Sequence, residues 1–87
     1  MTYVTPMMNA THRPIYAIAA DIERHWPKVS PYAKPYLDAL HCVGRITDKY
    51  FSDDARSVVL YFLSNASSFR GEQAKALKLE LKALLAD

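Results

Sequence analysis

The stretch Val58 to Leu85, VVLYFLSNASSFRGEQAKALKLELKALL, decides the fold. An apolar run, Val58, Val59, Phe62, Leu63 and Ala66, recurs at helical spacing, then gives way to the small polar segment Ser64 to Ser68. A second pattern follows in which Ala74, Leu77, Leu81, Leu84 and Leu85 share one face. Two amphipathic helices joined by a short turn form a helical hairpin. The alternative, a buried strand over Val58 to Leu63, would need a partner strand that the pattern does not supply.

Working outward, Ala55 extends the first of these helices upstream, with Ser52 or Asp53 expected as its cap and Asp53 and Asp54 favoured at the positive end of its dipole. Ser67 or Ser68 is expected to cap the last helix, with Glu72 in its first turn and Gly71 weakening that turn from within. Farther back, Ile15, Ile18, Ala19, Ile22 and Trp26 mark a helix that starts near Arg13 and Pro14 under a Thr11 cap and stops at Pro27. Ser30-Pro31 opens another, running to about Val43 with Ala33, Tyr36, Leu37, Leu40 and Val43 inward and Gly44 as its stop. Arg45 to Phe51 reads as a turn or two of helix carried by Ile46 and Tyr50. The expectation is an all-α bundle of about four helices over residues 12–87, preceded by an arm over residues 1–11.

Composition agrees with one small globular domain. The chain has 87 residues, 51% of them hydrophobic and 23% charged, which is enough apolar material for a core and an ordinary share of surface charge. A net charge of +2 is too small to mark the whole domain as a binder of nucleic acid or membranes. No apolar run approaches the roughly 18 residues of a membrane span, and no basic-then-apolar leader opens the chain, so a cytoplasmic location is expected. The single cysteine, Cys42, excludes an internal disulfide and falls away from the apolar arc of its segment. So small a domain would gain buried surface by self-association.

Chemistry-bearing patterns are sparse. His12, His25, His41 and Cys42 have no zinc-site spacing, and no metal or cofactor is expected. Asp38 and His41, three apart, could orient an imidazole as a general base, but an ordinary helix-surface pair is the simpler reading. Asp48, Asp53 and Asp54 lack the glycine and terminal glutamate of a calcium loop. No catalytic constellation emerges, so an enzyme is not expected.

Two surface features remain. Leu79 lies nearly opposite the core stripe of the last helix with Ala76 and Ala83 beside it, and Leu60 and Tyr61 flank the apolar arc of the preceding helix. With six tyrosines in the chain, these five residues form the candidate protein-contact set. Arg70, Lys75, Lys78 and Lys82 form a cationic arc able to follow a phosphate backbone. Glu72 and Glu80 interrupt that helix and no aromatic is interleaved with the lysines, which makes nucleic acid the second choice.

The segments IAADIERHW (Ile18 to Trp26), PYLDAL (Pro35 to Leu40) and SNASSFRGE (Ser64 to Glu72) resemble small uncharacterised bacteriophage proteins, chiefly from phages of actinobacteria such as mycobacteria. The resemblance spans about Pro14 to Leu85. It implies a small accessory protein that binds a host or phage protein in the bacterial cytoplasm, in some cases to the detriment of the host. It carries over no catalytic residue.

Overall fold

The computed structural model describes residues 12–86. Four helices, α1 (Ile15–His25), α2 (Lys34–Leu40), α3 (Ala55–Ser64) and α4 (Glu72–Leu85), surround one apolar core. A two-stranded antiparallel hairpin, β1 (Lys49–Tyr50) and β2 (Asp53–Asp54), interrupts them between α2 and α3. The fold is therefore mostly helical, with a small sheet that the all-α expectation left out. The 1–11 arm and the Thr11 cap lie outside the described residues.

α1 packs chiefly on α4 and α2 on α3, with smaller α1–α2 and α3–α4 contacts closing the ring. The apolar stripes do this as their spacing demands. Ile15, Ile18, Ala19, Ile22 and Trp26 are buried from α1 and its end, Leu37 and Leu40 from α2, Ala55, Val58, Val59 and Phe62 from α3, and Ala74, Leu77, Leu81 and Leu84 from α4. Leu63 and Leu85 are half-buried at the edge of this core. Ala39 and Phe69 join the core without belonging to any predicted stripe. Phe69 stacks on Trp26 at 4.9 Å between centroids, while Phe62 meets the same indole edge-on at 6.2 Å. That aromatic trio ties α3 and the later part of the α3–α4 connection to the end of the first helix.

The element boundaries depart from expectation in five places. α2 begins at Lys34 rather than Pro31: the carbonyl of Ser30 first accepts the N–H groups of Ala33 and Lys34, and Pro35 then occupies the first helical turn, where a missing donor costs nothing. It also ends at Leu40, three residues before Val43. Arg45 to Phe51 is not helical. The Asp48 carboxylate accepts the N–H of Gly44 at 2.8 Å and of Arg45 at 2.9 Å, folding the chain back, and Lys49 and Tyr50 then pair with Asp54 and Asp53. These two backbone donors hold Asp48 below the usual carboxylate range.

The cap of α3 is Asp54, not Ser52 or Asp53. Its carboxylate accepts the Ser57 N–H at 2.8 Å, and that bond, with help from the Ser57 hydroxyl, pulls its pKa down. The far end of α3 closes on its own side chains, with Ser64 Oγ donating to the Leu60 carbonyl and Asn65 Nδ2 to that of Tyr61. Neither Ser67 nor Ser68 caps α4. Gly71 stands immediately before that helix at φ 107° and ψ 178°, a region that only glycine adopts readily, so it is the hinge into α4 rather than a weak point within it.

One polar clasp crosses the helix packing. Arg13 donates from Nε and Nη2 to both carboxylate oxygens of Glu80, at 2.7 and 2.8 Å, and from Nη1 to Asp21 at 2.8 Å. The bidentate fork joins the start of α1 to the middle of α4 and raises the guanidinium further above its ordinary value, through Glu80 first and Asp21 second. No spacing rule links residues so far apart in the chain.

Candidate interaction surface along the last helix

α4 buries Ala74, Leu77, Leu81 and Leu84, and the 3.6-residue period then forces the residues between them outward. Leu79 is 55% exposed, and Ala76 and Ala83 are exposed on the same helix. The connection from α3 adds a second wall. Phe69 is pinned against Trp26, and Gly71, with nothing within 4 Å of where a Cβ would stand, turns the backbone outward before α4 begins. Between this wall and the helix runs an open groove of about 400 Å³ lined by Phe69, Arg70, Gly71, Ala74, Lys75, Lys78, Leu79 and Lys82.

Two residue sets with separate sequence rationales thus meet in one place. All four candidate cations, Arg70, Lys75, Lys78 and Lys82, line the groove, and Leu79 lies among them. Among the described residues no carboxylate lines it: Glu80 is turned toward Arg13, and Glu72 borders a neighbouring depression with Gln73, Lys75, Ala76 and Leu79.

Lys78 is the cation the fold fixes most firmly. Half-buried, it donates from Nζ to the Phe69 carbonyl at 2.7 Å and lies 5.8 Å from the centre of the Phe69 ring. Burial lowers its pKa, and the nearby charges of Lys82 and Arg70 lower it further. Lys78 therefore lies within the field of both neighbouring cations. Arg70 spends Nε on the Ser67 carbonyl at 3.3 Å, a local tie within its turn, while the remainder of its exposed guanidinium fork is available.

Tyr61 and Leu60 belong elsewhere. They are 49% and 48% exposed on α3, and the Tyr61 ring packs on Tyr36 of α2 with 5.5 Å between centroids. The groove around Leu79 is lined from residues 69–82 alone, so the five-residue contact set divides into an α4 patch and an α2–α3 aromatic patch.

The candidate general base is not assembled. Asp38 pairs with Lys34 at 2.7 Å, which raises the lysine, and His41 Nε2 lies 2.9 Å from Glu23 across the α1–α2 packing. Cys42 is exposed, its Sγ 3.6 Å from the Asp38 carbonyl. Among the described residues, no group of three or more His, Cys, Asp or Glu side chains comes together to hold a metal ion, and no helix is long and apolar enough to cross a membrane. No protein-family model, curated protein or solved structure matches this chain.

Sequence reasoning found every polar member of the groove but not the groove. Phe69 and Gly71 make it a concavity, and both sit in a non-periodic connection where neither burial nor backbone conformation leaves a pattern.

Proposed function

We propose that the protein is a non-enzymatic helical binding domain whose α4 groove holds a segment of a host or phage protein, in the manner expected of a phage accessory protein in the bacterial cytoplasm. The observation that carries this reading is the convergence of four cations and the exposed Leu79 on one groove that no carboxylate lines among the described residues. Such a surface suits an acidic segment bearing an apolar side chain. The carboxylates find Arg70, Lys75, Lys78 and Lys82, and the apolar group covers Leu79.

The test compares proteins captured from host lysate by the wild type with those captured by Leu79→Glu and by Lys75→Glu/Lys82→Glu. All three positions are exposed, so the variants fold. A partner held by the wild type and lost from both variants supports the reading, and a partner retained by both sinks it.

The same four cations favour a second reading, a nucleic-acid contact. Phe69, the aromatic of the groove, is buried against Trp26 and offers no free face for base stacking, which places this reading second. A gel shift that appears at low salt and fades steeply as salt rises would promote it.

A further inference from the structure

The β1–β2 hairpin carries the surface feature that folding does not explain. Phe51, at its tip, is 87% exposed and is the single non-glycine residue with positive φ, 56°, among the described residues. Glycine, asparagine or aspartate ordinarily takes such a place in a two-residue hairpin turn. Phenylalanine there bears backbone strain and hydrates most of its ring, two costs that a single ring contact inside the monomer offsets only in part. The ring is nonetheless held in place: Tyr50, half-buried against the core, meets it edge-on with 4.7 Å between centroids.

A second groove lies on the same chain. A groove of about 420 Å³ is lined by Pro14, Tyr16, Arg45, Ile46, Thr47 and Leu84, among others. Benzene is held by an apolar cavity of only about 150 Å³, so this groove has room for one phenyl ring and its turn. Knob and groove belong to one braced segment. The Asp48 carboxylate binds the N–H groups of Gly44 and Arg45 on the groove side, and its carbonyl accepts the Ala55 N–H at 2.8 Å just past the hairpin.

We propose that the groove receives Phe51 from a second copy of this chain, giving a two-fold dimer in which each hairpin tip enters the other's groove. An isologous interface must be self-complementary, and a knob and a hole carried by the same chain supply the two halves of such a contact. Charge agrees: exposed Asp53 follows the knob, and Arg45 lines the hole. This surface is separate from the α4 groove, so either assignment can fail alone.

The experiment is sedimentation velocity of the full chain over a concentration series, with circular dichroism reporting fold. Phe51→Gly, which takes the positive φ without strain, and Thr47→Trp, which fills the hole from an exposed position, each keep wild-type helix content and weaken the dimer roughly thirtyfold or more. Mixing the two variants restores part of the association, because one intact knob then meets one intact hole. A wild type that stays monomeric up to about millimolar concentration overturns the proposal. So does a dimer that Phe51→Gly leaves intact, one that Leu79→Glu dissociates instead, or a dimer weakened by Phe51→Gly but not by Thr47→Trp. A monomer that floats with phosphatidylglycerol vesicles in a Phe51-dependent manner likewise overturns it in favour of a lipid surface.

Discussion

Gly71→Ala separates backbone geometry from packing. The added Cβ meets no atom within 4 Å, so steric contact contributes nothing, whereas φ 107° with ψ 178° lies where residues bearing a Cβ are strained by about 1–3 kcal/mol. The unfolded chain loses freedom when alanine replaces glycine, which returns about 0.4–1 kcal/mol to the folded state. The net expectation is a loss that ranges from roughly zero to about 2.6 kcal/mol, the upper end corresponding to roughly 10–20 °C in the melting midpoint of a domain this size. Urea and thermal unfolding followed by circular dichroism at 222 nm measure it. The sign is decisive. If Gly71 lay inside the first turn of α4, as periodicity suggests, alanine would stabilise by about 0.8–1 kcal/mol. A midpoint raised by the amount expected for a helix-interior glycine therefore refutes the hinge geometry and with it the wall of the α4 groove. Gly44→Ala is the control: its Cβ would stand 3.4 Å from Tyr16 Cε2 at a position without positive φ, and a smaller change is expected.

Phe62→Ala removes a fully buried ring in edge contact with Trp26, and a loss of about 3–5 kcal/mol is expected in urea titration, enough to leave so small a domain near its unfolding threshold. A double-mutant cycle on Arg13→Ala and Glu80→Ala should give a coupling of about 0.5–1 kcal/mol that shrinks with added salt; both side chains are about a third exposed, and solvent screening discounts even a bidentate fork. Asp54→Ala lowers the melting midpoint at neutral pH. Because capping depresses the folded-state pKa of Asp54, its contribution is present above the ordinary carboxylate range and is lost as pH falls through the depressed value, so variant and wild type converge in acid. Melting curves from pH 7 downward check this, and a gap that stays constant into acid would show that the cap does not act through its ionised form.

The groove illustrates how unevenly sequence reports a surface. Lys75, Lys78 and Lys82 could be placed on one arc because helical period alone fixes relative direction, and the outward position of Leu79 followed from the same arithmetic. Arg70 could be added by proximity in the chain. Lys78 as the fixed member could not, since its hydrogen bond to the Phe69 carbonyl depends on where the preceding connection runs. Tyr61 and Leu60 were grouped with Leu79 because exposure is legible and adjacency is not. The Asp38–His41 pair failed for a related reason: Lys34 lies one turn away and Glu23 comes from another helix, and each offers a closer opposite charge or acceptor.

By itself the sequence determined that four amphipathic segments would be helices and most of the residues of each that would be inside, Ala39 being an exception. Burial in a helix recurs every 3.6 residues, and that recurrence is written in residue order. Tertiary structure decided what periodicity does not encode. It replaced a supposed helix over Arg45 to Phe51 with a hairpin closed by Asp48, placed Phe69 on Trp26, joined Arg13 to Glu80, and set Gly71 before α4 rather than inside it. Each of these depends on which distant donor, acceptor or ring arrives at a given point, which the packing of the four helices settles and no single segment contains.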